Sequence, residues 1–189
     1  MKANLFSILF GGLLVMSACA PANATAPGTT GAQSSILPSM VLSSPDFAAG
    51  GAIPAKYTCS GNSISPALSW GEPPAGTGAF AVILTDPDAP SGAFIHWVIY
   101  NIPGANRGLP EAISTDPKLA DGSLQGYNGA RRLGYTAPCP PSGNHHYVFK
   151  LYALDGALSL EAGETKDGLL SAMQGHILAQ AELTGTYGK

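Results

Sequence analysis

The chain has 189 residues, of which 45% are hydrophobic and only 11% charged, with 24 glycines and 16 prolines. That composition suits one compact domain with a sizeable core and many turns. A formal net charge of -3, with no basic cluster larger than Arg131-Arg132, excludes a nucleic-acid footprint, so no nucleic-acid partner is expected.

Lys2 precedes a mostly apolar run from Leu5 to Met16, followed by small residues around Cys19. The run is shorter than the roughly 20 residues of a membrane span, and it reads as a signal peptide over residues 1–18. Met16-Ser17-Ala18-Cys19 resembles a lipobox, which would acylate Cys19 and anchor the protein to a membrane of the cell envelope. The alternative is cleavage after Ala22-Asn23-Ala24, giving a soluble secreted protein. Removing Lys2 leaves the mature chain still more acidic, so membrane contact is expected through a lipid anchor only. Residues 19–38, rich in Ala, Pro, Gly, Thr and Ser, have the composition of a flexible tether, and the folded domain is expected over residues 39–189.

Within the domain, Met40-Val41-Leu42 and Ala67–Trp70 are short strand candidates, separated by a cluster of turn formers from Thr58 to Pro66. Ala79–Leu84 is continuously apolar, as in a strand buried on both faces. Pro87 ends it, because proline disfavours helix at Asp86 and cannot donate to a ladder. Phe94–Ile102 is the next strand; strict alternation puts His96, Val98 and Tyr100 on one face and Ile95, Trp97 and Ile99 on the other. Residues 103–138 read as loop. A strand begins near Tyr147, with His145 and Tyr147 on one face and His146 opposite. Leu169, Leu170, Met173, Ile177 and Leu178 fall at helical spacing, which predicts a helix over Glu164–Gln180 and a final strand over Ala181–Tyr187.

The residues with chemistry are few. Asp86 and Asp88 flank Pro87 at a strand exit and could serve acid–base work, a metal or turn structure. Next to His96, a carboxylate accepting an imidazole N–H would orient the ring and favour its charged form, as an anion ligand requires. His145 follows the rigid Pro138-Cys139-Pro140-Pro141-Ser142-Gly143 turn and shares its face with the phenol of Tyr147. His146 and His176 read as surface or packing residues. No histidine or cysteine pair has zinc spacing, and no nucleophile elbow or phosphate loop is present, so no metal or cofactor is expected. In an exported chain Cys59 and Cys139 are expected to form a disulfide, the alternative being two buried free thiols.

The pieces Cys59-Ser60-Gly61-Asn62 with Ser65-Pro66, Thr85–Pro90, His96-Trp97 with Asn101-Ile102-Pro103, Gly134-Tyr135, Pro138–Tyr147 and Leu151–Asp155 are together specific. In that order they resemble the phosphatidylethanolamine-binding protein family, in its bacterial Raf-kinase-inhibitor-like branch. The resemblance implies a mainly β fold: a central antiparallel-rich sheet, a second small sheet and a few peripheral helices. It also implies a small cavity for an anionic small molecule or phospholipid headgroup, built from Asp86, His96, Pro138, His145 and Tyr147 with Asp88 as a buttress. Both His96 and His145 would donate to the anion, and Tyr147 would add its hydroxyl.

Two positions depart from the family pattern. Ala137 replaces a glycine before Pro138, and Tyr127–Arg132 replaces an Asn-Asp-Phe-Gly-like turn, bringing Arg131 or Arg132 towards the cavity or leaving them in a solvated loop. The expected function is ligand binding rather than catalysis. The alternatives are an inhibitor that meets a protease or other protein target through residues 103–138, and a weak hydrolase using Asp86 and His96.

Overall fold

The structure, a computed structural model, describes residues 40–189. The signal peptide, Cys19 and the tether lie outside the described residues. The fold is mainly β. A five-stranded antiparallel sheet is formed by β3 (Ala79–Asp86), β4 (Phe94–Pro103), β6 (Leu124–Gln125), β7 (Asn144–Leu154) and β8 (Ile177–Gly188), in the order β6-β4-β3-β7-β8. Three short strands, β1 (Leu42–Ser43), β2 (Leu68–Trp70) and β5 (Gly108–Leu109), form a second antiparallel sheet in the order β1-β2-β5.

The apolar run of β3 has the central place its composition calls for: every residue except Thr85 is buried. One core lies between the two sheets, where Leu42, Leu68, Trp70 and Leu109 of the small sheet meet Phe80, Val82, Leu84, Trp97 and Phe149 of the large one. Trp70 and Phe80 join them with ring centroids 5.1 Å apart. A second core on the far side of the large sheet packs Ala81, Ile83, Val98, Tyr100 and Leu154 against Leu169 and Met173. Both faces of the sheet are thus covered, which is why β3 and β4 lack a clean polar side.

The helix is shorter than its apolar spacing predicts. It is α1 (Lys166–Ala172), capped by the Thr165 side chain, which accepts the Gly168 N–H. Gly175 then adopts a left-handed φ of +82°, and β8 begins at Ile177, with Gln180 paired to Tyr152. Ile177 and Leu178 fit either periodicity; pairing with β7 decides for strand. The segment read as loop over 103–138 also holds β5 and β6.

A second correction concerns the faces of β4. Leu84 pairs with Trp97 but Thr85 pairs with Ile95, so His96 is the extra residue of a β-bulge. The alternation breaks there: Trp97 and Ile99 belong to the core between the sheets, while Ile95, Val98 and Tyr100 pack on the other side. Re-aiming a side chain beside a site is a recurrent use of bulges. His96 thereby comes to lie against Tyr147 instead of sharing a face with Val98.

Candidate functional site

Asp86 closes β3, and the turn after it is built on its own side chain: Oδ1 accepts the Asp88 N–H at 2.9 Å. Its other oxygen, Oδ2, accepts the Nδ1–H of His145 at 2.8 Å. The antiparallel pairing of Thr85 with Val148 brings the start of β7 beside this turn. Both partners are buried, Asp86 at 4% exposure and His145 at 7%. Two residues on, Asp88 repeats the arrangement on the outside. Its Oδ2 accepts the backbone N–H of His146 at 2.8 Å and the His146 Nδ1–H at 2.7 Å. These donors hold the Asp88 carboxyl below the usual carboxylate range. The two carboxylates therefore grip consecutive histidines of one strand, one facing in and one facing out.

The inner carboxylate was expected to orient His96; it orients His145. The His96 ring is held by the chain itself. Its Nδ1–H donates to the Thr136 carbonyl at 2.7 Å, and the Thr136 N–H returns a bond to the His96 carbonyl at 2.7 Å. Asn128, 5% exposed, steadies that segment by donating from Nδ2 to Thr136 Oγ1 at 2.7 Å. Burial pushes the His96 pKa down from 6.5, outweighing the Thr136 carbonyl and the Asp86 carboxylate, which push it up. A carbonyl can only accept, so the proton sits on Nδ1, and the neutral ring presents Nε2 as a lone pair. In that neutral form His96 offers an acceptor to the cavity, whereas the donor role that the resemblance implies needs the protonated ring.

Asp86, His96 and His145 line one cavity of about 290 Å³, whose remaining walls come from the Ala89–Gly92 turn, Phe94 and the segments around Thr136 and Pro140-Pro141. In both rings Nδ1 is engaged in the scaffold and Nε2 is the nitrogen left over. Phe94 meets the His96 ring at 4.9 Å. Gly129 lets the neighbouring loop close on Phe94, since a Cβ there would come within 2.7 Å of the ring.

Two expected lining residues stand behind the wall instead. Pro138 is buried, and its carbonyl accepts the Cys59 N–H at 3.0 Å. Tyr147 is fully buried beneath His96, with ring centroids 5.2 Å apart. Among the described residues its hydroxyl makes no well-formed hydrogen bond. Burial first, and then the nearby Asp86 charge, push the Tyr147 phenol up. Asp86 acts on it both through its charge and as an acceptor near the hydroxyl, at a contact that falls short of ordinary hydrogen-bond geometry. Asp88 buttresses the turn without lining the cavity.

Cys59 and Cys139 form the expected disulfide, with Cα atoms 5.4 Å apart, and Cys139 is part of the cavity wall. Ala137 takes no left-handed φ, so alanine fits where the family pattern has glycine. Arg131 and Arg132 are exposed and do not line the cavity. His176 pairs with Asp155 at the surface. Among the described residues no group of three or more His, Cys, Asp or Glu side chains could hold a metal ion. Phe94, Thr136 and Asn128 were not singled out from sequence. The Phe94-x-His96 spacing was the available signal for the first; nothing local marks the other two.

A family model for phosphatidylethanolamine-binding protein matches residues 43–188, and the chain belongs to that family. Similar chains include a UPF0098 protein of Methanothermobacter thermautotrophicus, 53% identical over 72% of this chain and 91% of that one. Among solved structures, a phosphatidylethanolamine-binding protein homologue from Chlamydia trachomatis is 44% identical and superposes with a TM-score of 0.74, covering 80% of this chain and 98% of its own. YbcL of E. coli, described as a member of the mammalian PEBP family, is 30% identical with a TM-score of 0.72, covering 79% and 98%.

Proposed function

We propose that the protein is an exported binding protein whose cavity takes a small oxyanion, phosphate or a phosphorylated headgroup, and that acylated Cys19 attaches it to a membrane of the cell envelope. The observation that carries the reading is the pair of histidines with Nδ1 anchored and Nε2 free on one cavity. A neutral His96 accepts a hydrogen bond at Nε2 from a protonated phosphate oxygen; once the ring takes up a proton at lower pH, Nε2–H donates to one of the oxygens that stay ionised. The volume is at the low end of small-molecule sites, roughly 300–1,000 Å³, which suits a headgroup and not acyl chains.

The test is a titration of inorganic phosphate into the protein, followed by the side-chain resonances of the four histidines. His96 and His145 should shift, while His146 and His176 stay in place. No shift of His96 and His145 at millimolar phosphate overturns the reading. For the attachment, intact-mass measurement of protein purified from its own envelope should give a diacyl- or triacyl-Cys19 N-terminus; a chain beginning after Ala24 supports soluble secretion instead.

A further inference from the structure

On the other side of the wall formed by Thr136, Ala137 and Cys139 lies a second, open hollow of about 750 Å³. The oxyanion reading does not use it. Both Cys59 and Cys139 line it, together with Arg131 and Arg132. Both cysteines are exposed, so their disulfide is open to attack from solvent. Neither arginine has an ion-pair partner among the described residues, in a chain of net charge -3. On the disulfide itself, the ammonium of Lys189 sits 3.2 Å from Cys139 Sγ. Among the described residues no hydrogen-bond donor is recorded at the Cys59 sulfur.

We propose that the Cys59–Cys139 disulfide is an exchange site for a low-molecular-weight thiol bearing a carboxylate. Arg131 and Arg132 attract the carboxylate. The incoming thiolate attacks Cys59 Sγ and forms a new S–S bond there; the Cys59–Cys139 bond breaks, and its electron pair leaves on Cys139 as a thiolate. One disulfide and one thiolate are exchanged for another pair, so no separate oxidant or reductant is required. The direction follows from the leaving group, since exchange is faster when the departing thiol has the lower pKa and a neighbouring lysine stabilises its thiolate. Opening the bond also loosens the cavity wall from the Cys59 turn, leaving the Cys59 N–H to Pro138 carbonyl bond and the Tyr135 hydroxyl to Tyr57 carbonyl bond between the two segments.

The experiment treats unreduced full-length protein with glutathione, and separately with the cationic thiol cysteamine. Free thiols are then blocked by alkylation and the adducts mapped by peptide mass spectrometry. Glutathione should be found on Cys59, with Cys139 alkylated, in about fivefold or greater excess over the reverse. Per thiolate it should react about threefold to tenfold faster than cysteamine at low salt, an advantage that shrinks at high salt. Lys189→Met should even out the two adducts, and Arg131→Asn with Arg132→Gln should remove the preference for glutathione. A majority adduct on Cys139, cysteamine reacting as fast as glutathione in the parent protein, or no reaction of the folded protein would each overturn the proposal. The readout is an adduct mass, so it stands or falls independently of whether the cavity binds an oxyanion.

Discussion

Replacing Asp86 with asparagine keeps the shape of the side chain and removes one of its two acceptor oxygens. The carboxylate now takes the Asp88 N–H at 2.9 Å and the His145 Nδ1–H at 2.8 Å. If the amide turns its NH₂ to the Asp88 N–H, that backbone donor loses its acceptor; if it turns the NH₂ to His145, the ring must move its proton to Nε2, and in either case a bond to a charged acceptor is lost. At 4% exposure, water has little room to substitute for the lost oxygen. An unsatisfied buried donor costs about 1–3 kcal/mol, and about 2 kcal/mol lowers the Tm of a domain this size by about 4–8 °C. Asp88→Asn is the matched control. Its side chain is 41% exposed, and one amide oxygen can still take both His146 donors, so the loss should be small beside that of Asp86→Asn. Thermal unfolding of the two variants beside the parent at pH 7.5, by circular dichroism, makes the comparison. An Asp86→Asn protein melting within about 1 °C of the parent, or an Asp88→Asn protein falling further than it, refutes the argument from burial.

Two other outcomes follow from the same site. Tyr147→Phe deletes a fully buried hydroxyl that makes no well-formed hydrogen bond among the described residues, and it keeps the ring beneath His96. Stability should hold or rise by about 1 kcal/mol in urea titrations, and a loss of more than about 1 kcal/mol would mean that the hydroxyl makes a bond after all. The depressed pKa of His96 gives a pH dependence with a definite sign. Below about 6.5 the unfolded chain takes up a proton that the folded ring resists, so the unfolded state binds more protons and stability falls as the pH drops towards the folded value. Sulfate, which stays ionised throughout, should offset the loss by favouring the imidazolium. His96→Asn should flatten the slope between pH 7 and 5, and identical slopes in parent and variant would sink the explanation. The depressed Asp88 carboxyl acts in a separate window: its contribution is present above the unfolded value of 3.8 and is lost only in stronger acid, as the pH falls through the folded value.

Much of this was legible in the sequence where one physical signal dominated. The unbroken apolar run of Ala79–Leu84 and the proline after Asp86 fixed both the central strand and its end. The alternation through β7 put His145 and Tyr147 on one face. What was not legible depended on which segments meet. A bulge at His96 leaves no trace when both faces of a strand are apolar, because either phase of the alternation looks equally buried. Ile177 and Leu178 satisfy helix and strand periods alike, and only pairing with β7 distinguishes them. The choice of His145 over His96 as the partner of Asp86 is set by β3 lying next to β7, and the burial of Asn128 by a loop closing over Thr136. Neither is a local property.

The position of Asp86 at the end of β3 bears on how a ligand can enter and leave. β3 is the middle strand of five, paired on both sides, and its amides are expected to exchange with solvent only when the whole sheet opens. A carboxylate fixed to that strand has no nearby second position, and His145 is fixed with it. For the oxyanion proposed above, the cavity should therefore select by a shape that exists before the ligand arrives, with little ordering cost on binding. Residence time would then be set by the contacts themselves and not by the opening of a gate.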